Sequence, residues 1–338
     1  MILITGAAGY IGSHTAINFL NNGYEVVVFD NLATGHIETI NALKKIGNVK
    51  FVQGDLRNIE DIEKVFEQYD IETVIHFAAF SLVGESVTDP AKYYRNNVYG
   101  TMNLLDTMVK HNIKKIVFSS TCATYGEPQY TPIDEKHPQN PINPYGNTKL
   151  CVEMMLKDYD KAYGLKSIRL RYFNVAGCDE KSRVGEWHDP ESHLIPNILK
   201  STFGTAKVFK IFGNDYDTPD GTCIRDYVNV EDLAEAHRLA YLYLKENNNS
   251  DFFNLGTEQG DSVKEVFDTC EEVLKQKINV EVVERREGDP AKLYANANKA
   301  KENLKWHPQR TLKDSIKTAY NWELNLENFK AGKQCNQQ

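Results

Sequence analysis

Through the first half of the chain, short and almost wholly apolar runs alternate with longer stretches in which apolar residues return every three or four positions. The short runs are Ile2–Thr5, Glu25–Asp30, Val49–Gln53, Thr73–Ala78 and Lys115–Ser119, rich in β-branched residues and mostly flanked by Gly, Asn or Asp. Such runs predict strands buried on both faces. The stretches Ile11–Asn22, Ile59–Tyr69 and Ala91–His111 carry the 3.6-residue period and predict helices between them. Strand–helix–strand repetition requires right-handed crossovers. The predicted fold is therefore α/β, a doubly wound parallel sheet of Rossmann type.

The order loosens after Phe173. Residues 179–193 are polar and hold Gly185 and Pro190, and residues 213–222 are turn-forming throughout. Helical periodicity returns at Glu231–Glu246 and Ser262–Lys275. This divides the chain into a nucleotide-binding domain, 1–175, and a smaller mixed α/β substrate domain, 176–338, with room for the chain to cross back. Beyond Phe329 the tail is expected to fray. There is no internal repeat and no low-complexity segment.

Composition narrows the function classes. The chain has 338 residues, 41% hydrophobic and 25% charged, with a net charge of −8. That length suits one large and one smaller unit. The acidic balance argues against broad nucleic-acid or anionic-membrane binding. The N-terminus lacks a basic, apolar leader, and no run of about 18 apolar residues occurs, so a soluble cytoplasmic protein is expected. The six cysteines (Cys122, Cys151, Cys178, Cys223, Cys270 and Cys335) form no C-x-x-C pair and no Cys–His ligand spacing. Free thiols are expected, and no metal.

The candidate chemistry begins at Gly6, Gly9 and Gly12, spaced G-x-x-G-x-x-G with Tyr10 and Ile11 inside the motif, after a strand and opening a helix. In that context the glycines permit a tight turn, backbone approach to a pyrophosphate and close helix packing. The helix N-terminus offers free N–H groups to the phosphates. Asp30 ends the second strand, 18 residues beyond Gly12, where a carboxylate accepts hydrogen bonds from ribose hydroxyls and repels a 2′-phosphate. NAD is therefore expected over NADP, with Asn31 adjacent. The plain alternative, Asp30 as a turn former, is weaker in this setting. Asp55 and Leu56 end the third strand. Asp55 either faces the adenine or is a turn acid.

Tyr145 and Lys149 are four residues apart, hence on one face of a helix, for which Pro141 and Pro144 suit a start. An ammonium beside a phenol is expected to lower its pKa and make a usable base. A packed Tyr with a solvated Lys is the ordinary meaning of such a pair. Against that, Ser119-Ser-Thr121 follows the fifth strand, at the sheet edge where ligands bind, and can complete a proton relay.

These features together resemble the extended branch of the short-chain dehydrogenase/reductase superfamily. Further segments are similar to UDP-galactose 4-epimerases: Thr5-Gly-Ala-Ala-Gly-Tyr-Ile-Gly-Ser-His14, Val28-Phe-Asp-Asn-Leu32, His76-Phe-Ala-Ala79, Val83-Gly-Glu-Ser-Val87, Tyr93-Tyr-Arg-Asn-Asn97, Arg171-Tyr-Phe-Asn174, Ile211-Phe-Gly-Asn-Asp-Tyr216, Arg225-Asp-Tyr227 and Arg285-Arg-Glu-Gly-Asp289. The resemblance covers nearly the whole chain. It implies reversible C4 epimerisation of UDP-galactose and UDP-glucose, with tightly bound NAD and a 4-keto intermediate. Tyr145 would be the base, Lys149 its partner and Thr121 the assisting hydroxyl. Phe77, Ala78, Asn96 and Tyr172 would contact cofactor. Asn174, His193, Leu194, Phe212, Arg225, Tyr227, Arg286 and Asp289 would contact the UDP-hexose. Arginines suit a diphosphate because their donors form a bidentate fork. Leu293 matches a gate beside the sugar, where Tyr excludes an N-acetyl group and smaller residues admit it, so UDP-GlcNAc and UDP-GalNAc are further expected substrates. One departure is Ser81, a position that is Lys in some relatives. The resemblance also implies a homodimer through helices near Ala91–His111 and Leu150–Tyr163.

Two other readings compete. One is another NAD-dependent nucleotide-sugar enzyme, such as a dehydratase, a decarboxylase or a different epimerase. A dehydratase of this branch carries Asp-Glu after the catalytic hydroxyl, and here Cys122-Ala123 follows Thr121. The other is a non-catalytic NAD-binding sensor, since fold alone does not establish chemistry.

Overall fold

The computed structural model describes residues 1–203, 208–286 and 289–332; Cys335 lies outside them. The first unit runs β1 (Ile2–Thr5), α1 (Tyr10–Asn21), β2 (Val26–Asp30), α2 (Ile37–Ile46), β3 (Val49–Gln53), α3 (Ile59–Gln68) and β4 (Thr73–His76). It continues through α4 (Val83–Thr88), α5 (Pro90–Tyr93), α6 (Gly100–Lys110), β5 (Lys115–Thr121), α7 (Pro144–Tyr163) and β6 (Lys166–Tyr172). Then follow β7 (Asn174–Ala176), α8 (Leu194–Thr202), β8 (Phe209–Phe212), β9 (Ile224–Arg225), β10 (Tyr227–Asn229), α9 (Val230–Asn247) and β11 (Asp251–Leu255). The chain ends with β12 (Asp261–Ser262), α10 (Val263–Leu274), β13 (Val280–Val283), β14 (Lys292–Leu293), α11 (Asn298–Asn303) and α12 (Leu312–Lys330).

Seven strands form one sheet in the order β11-β6-β5-β4-β1-β2-β3, every neighbour parallel. This is the doubly wound arrangement that the alternation predicts. Its order reverses between β1 and β4, and the crevice beyond their carboxyl ends is where such sheets bind ligands. The sheet core is apolar on both faces. On one side α1 and α9 cover it, with Phe19, Tyr24 and Tyr241 meeting edge to face at 5.3–5.7 Å. On the other, α3, α6 and α7 pack Phe66, Leu105 and Leu156 onto Val74 and Phe118. Each such buried side chain contributes on the order of 1.5–3 kcal/mol. The seventh strand comes from 251–255, so the chain returns to the first sheet after building part of the second unit.

That second unit has a separate core of Ile198, Phe267, Ile316 and Trp322 beneath α8, α10 and α12. Its strands are short: β10 with β7, β13 with β8, and β12-β9-β14. Capping boxes start α10 (Ser262 with Glu265) and α12 (Thr311 with Asp314).

Among the boundaries that differ from the pattern in the sequence, the fourth strand stops at His76 rather than Ala78, and two others bear on the site. The single helix predicted over 91–111 is broken by a π-helical stretch, Tyr94–Tyr99, between α5 and α6. There the Asn97 side chain pairs with both the N–H and the C=O of Phe80, at 2.9 Å each. The wider turn lets Asn97 brace the loop after β4 while Asn96 reaches the crevice. Strand β5 runs to Thr121, two residues past the apolar run, because Ser120 and Thr121 pair with Arg171 and Tyr172 of β6. The cysteines among the described residues are free thiols. No described helix is long and apolar enough to cross a membrane.

Candidate active site

A cleft of about 840 Å³ opens at the carboxyl edge of the sheet and extends to the second unit. Its floor is the β1–α1 turn. Gly6 sits at φ 77°, and a Cβ there would lie 2.6 Å from the Ala78 backbone nitrogen. A Cβ on Gly12 would lie 2.4 Å from the Gly6 carbonyl. No side chain caps α1, so its first N–H groups stay free to meet an anion. Asp30 is buried, and its carboxylate accepts from Ala8 N at 3.0 Å and Leu32 N at 2.8 Å. Burial raises its pKa and those two bonds oppose the rise. Further lone pairs remain to accept ribose hydroxyls. A cradle without Cβ atoms, an uncapped helix start and a buried acid fit an adenine dinucleotide.

At the far end of the sheet, α7 presents Tyr145, Lys149 and Glu153 along one face. Asn143 caps the helix by accepting from Gly146 N, and Pro144 occupies its first turn. Below, Arg171 of β6 grips the Glu153 carboxylate through Nε at 2.9 Å and Nη2 at 2.5 Å. Ser120 donates to Glu153 at 2.6 Å, Arg171 donates to Tyr125 at 2.9 Å, and Tyr125 donates to Asn254 at 2.7 Å. This buried network ties α7 to β5, β6 and β11 and fixes the height of the two residues above it.

Lys149 is buried and donates to the Ser119 carbonyl at 2.8 Å. Burial lowers its pKa to about 7, with Glu153 pulling the other way. Its Nζ lies 5.9 Å from the centre of the Tyr145 ring. The ammonium–phenol contact expected from the spacing is thus not direct. Burial and the neighbouring Tyr172 push the Tyr145 pKa up, and only the hydrogen bond with Thr121 draws it down. In the chain by itself the phenol holds its proton, opposite to the expected lowering. Tyr172 is pushed up to about 12, chiefly by burial, and its hydroxyl lies 2.5 Å from Ser119 Oγ.

The wall opposite comes from the second unit. Arg225 is anchored to the Pro290 carbonyl at 2.7 Å and lies 3.4 Å from Asp289. Arg286 stacks on the Phe212 ring at 3.8 Å. Leu293 is held beside Arg225 by strand pairing.

The cleft brings together most of the residues singled out in the sequence. On the dinucleotide side they are Gly6, Gly9, Tyr10, Ile11, Gly12, Asp30, Asn31, Leu56, Phe77, Ala78 and Asn96; in the centre, Thr121, Tyr145, Lys149 and Tyr172; on the far wall, Asn174, His193, Arg225, Arg286, Asp289 and Leu293. Four stand outside its lining. Asp55 turns to Arg57, which forks its carboxylate at 2.9 and 2.6 Å, and accepts from Asn31. Leu194 starts α8 and packs on the second core. Tyr227 is buried in that same core. Phe212 lies beneath Arg286 and serves as its platform. The sequence reading passed over Phe80, Glu186 and His188, which also line the cleft. Ser119 lines it too, and the Ser-Ser-Thr run was its only signal.

Similarity to known proteins decides the family. Residues 3–319 match the family model for GDP-mannose 4,6 dehydratase. The chain is 50% identical over 322 residues to the UDP-glucose 4-epimerase of Halalkalibacterium halodurans, covering 95% of each. This chain belongs to the UDP-glucose 4-epimerase family. Two solved members share its shape. The UDP-glucose 4-epimerase of Brucella ovis, in complex with NAD, superposes with a TM-score of 0.90 at 47% identity, covering 94% of this chain and 97% of that one. The UDP-Glc/GlcNAc 4-epimerase of Campylobacter jejuni superposes with a TM-score of 0.85 at 42% identity, covering 96% and 99%. Thr121, Tyr145 and Lys149 lie together at the centre of the cleft, and Ser81 is on its lining.

Proposed function

We propose that the protein is an NAD-dependent UDP-glucose 4-epimerase, an isomerase that interconverts UDP-galactose and UDP-glucose. The observation that carries the reading is the convergence of Thr121, Tyr145 and Lys149 on one cleft with the glycine cradle at one end and Arg225 and Arg286 at the other. Gly6, Gly9, Gly12 and the start of α1 would hold the NAD diphosphate, Asp30 the adenosine ribose, and Lys149 the nicotinamide ribose. When bound, NAD supplies a hydride acceptor that is also the later donor.

The chain's own residues do the rest. Arg225 and Arg286 fix the UDP by charge-assisted hydrogen bonds. With the positive charge of bound NAD and Lys149 beside it, Tyr145 would lose its own proton and, as phenolate, take the proton of the 4-hydroxyl, with Thr121 bonded to it as relay. Loss of that proton and of the C4 hydride leaves a 4-keto sugar. The hexose turns about its bond to the anchored phosphate and is reduced on its other face, and Tyr145 returns the proton to O4. Tight UDP binding and a loosely held sugar are both required. Elimination chemistry of the dehydratase kind lacks the Asp-Glu pair directly after Thr121. Cys122 is buried with its thiol pushed up to about 12, and Ala123 is inert. Replacing Tyr145 by Phe removes the proton acceptor, so turnover should fall by about 10²–10⁴-fold. UDP affinity, measured calorimetrically, should be unchanged; near-normal turnover would exclude the role.

Leu293 supports a wider substrate range that includes UDP-GlcNAc and UDP-GalNAc, because its side chain is smaller than a Tyr at the cleft wall. We place the protein in the cytoplasm and read residues 1–175 as the NAD-holding part and 176–338 as the UDP-sugar part, with 230–255 returned to the first. Tyr99, Met102, Met154 and Tyr163 are exposed apolar residues on α6, α7 and the π-helical stretch. They favour a homodimer that pairs these helices.

A further inference from the structure

The segment between β7 and α8 gathers four donor groups at one point. Glu186, His188, Glu191 and His193 each offer one ligand atom, and all four atoms lie within 4.8 Å of one another. His193 Nδ1 is 2.9 Å from Glu186 Oε1 and 3.0 Å from Glu191 Oε1. His188 Nδ1 is 3.4 Å from Glu186 Oε1 and 3.9 Å from Glu191 Oε1. Around a four-coordinate zinc with bonds of about 2.0–2.1 Å, neighbouring donors stand about 3.3 Å apart. The observed spacings bracket that value.

Hydrogen bonding alone does not account for the cluster. One ring N–H satisfies one acceptor, and the His193 Nδ1 bond goes to Glu191. Glu186 Oε1 is fully enclosed and, despite two imidazole nitrogens within 3.4 Å, has no hydrogen bond of acceptable direction; nor has His188 Nδ1. The Glu186 side chain is 4% exposed and that of Glu191 5%. Two buried carboxylates this close need a cation between them, which either a protonated His193 or a metal ion supplies. Lys200 does not fill that role, because it approaches the outer oxygen of Glu191, Oε2, at 3.4 Å. The inner oxygen of Glu191 accepts from Ser192 N and His193 N at 2.9 Å each, while that of Glu186 faces the two imidazoles and, among the described residues, has no hydrogen bond. Trp322 Nε1 donates to the Glu186 carbonyl at 2.8 Å and holds that residue from behind.

We propose that Glu186, His188, Glu191 and His193 bind one divalent transition-metal ion of the zinc class. Two imidazoles and two carboxylates are borderline donors, which favour such an ion over calcium or magnesium. With four protein donors the ion closes its own shell and takes no part in hydride or proton transfer. Its work is to pin residues 186–193, of which Glu186, His188, Pro190, Ser192 and His193 line the cleft. The sequence reading expected no metal, and this proposal departs from it.

The test uses the untagged full-length protein, purified without chelator, equilibrated with zinc and passed through gel filtration. About one zinc per chain should remain. Exchange to cobalt should give the intense visible absorption of four-coordinate cobalt. Glu186→Gln, which keeps the side-chain volume, and His188→Ala should each weaken zinc binding by tenfold or more, whereas His307→Ala, an exposed control, should not. Chelator should lower the Tm of the unmodified protein and not that of Glu186→Gln. Zinc lost on gel filtration, with no cobalt spectrum from the unmodified protein, would overturn the proposal and leave an ion-pair cluster. Equal zinc retention in all variants would overturn the assignment of these ligands. The cobalt spectrum needs no variant, so a misfolded substitution does not decide the outcome, and none of these readouts depends on epimerase activity.

Discussion

The two ends of the cleft are built by different means. At the dinucleotide end the contacts are backbone: glycines with no room for a Cβ, an uncapped helix start, and one buried acid on a seven-stranded parallel sheet. At the UDP-sugar end they are long side chains, Arg225 and Arg286, on short strands and loops and steadied by Asp289, Pro290 and Phe212. On the proposed reading the first end would hold a ligand common to many enzymes through its backbone. The second would grip the diphosphate and leave space beside it, which an epimerase needs if the sugar is to turn over while the diphosphate stays fixed.

The sharpest way to break this comparison is Gly12→Val. Its Cβ would strike the Gly6 carbonyl, so the purified protein should carry less than a tenth of the normal NAD, read from absorbance after denaturation. Normal NAD content would mean that the cradle is not a backbone device. Next comes the buried Glu153–Arg171 pair beneath Tyr145 and Lys149. Glu153→Gln strands a buried guanidinium and should cost about 3–5 kcal/mol of stability near neutral pH. Arg171 and Ser120 hold the Glu153 carboxyl below its usual 4.5 against the opposing effect of burial. A depressed acid contributes stability that is fully present above pH 4.5 and is lost as the pH falls through its folded value. The gap between the two proteins should therefore narrow in acid, and a constant gap in urea melts would contradict the assignment. At the other end, Arg225→Ala should raise KM for UDP-galactose about 10–100-fold, the worth of charged hydrogen bonds, with a much smaller change in kcat. A fall in kcat alone would place Arg225 in the chemistry instead. The smallest effect belongs to Leu293→Tyr, which should cut turnover of UDP-GlcNAc several-fold relative to UDP-glucose; an unchanged ratio would remove Leu293 as the gate.

The same contrast explains what could be read from the sequence. Strand β1, Gly6, Gly9, Gly12 and Asp30 follow from local pattern, because each demand (buried strand, tight turn, close approach) falls on residues adjacent in the chain. Tyr145 and Lys149 were legible as a helical pair. Their ionisation was not, because the burial around them comes from β5 and β6, far along the chain. Arg225 and Arg286 carry no local signature, and only the family resemblance pointed to them. Phe212 and Tyr227 stand outside the lining of the cleft, one beneath Arg286 and the other in the second core. The π-helical stretch at Tyr94–Tyr99 was hidden because an apolar period does not register one wider turn. The cluster of Glu186, His188, Glu191 and His193 escaped notice because its donors converge only once the turn-rich segment has folded against α8 and α12.

The measurement that bears most directly on the central claim is incubation of the purified protein with UDP-galactose and no added NAD, followed by analysis of the sugar nucleotides. The account predicts conversion to a stable mixture with UDP-glucose, sustained by NAD that travels with the protein. No UDP-glucose, even after NAD is supplied, would contradict it.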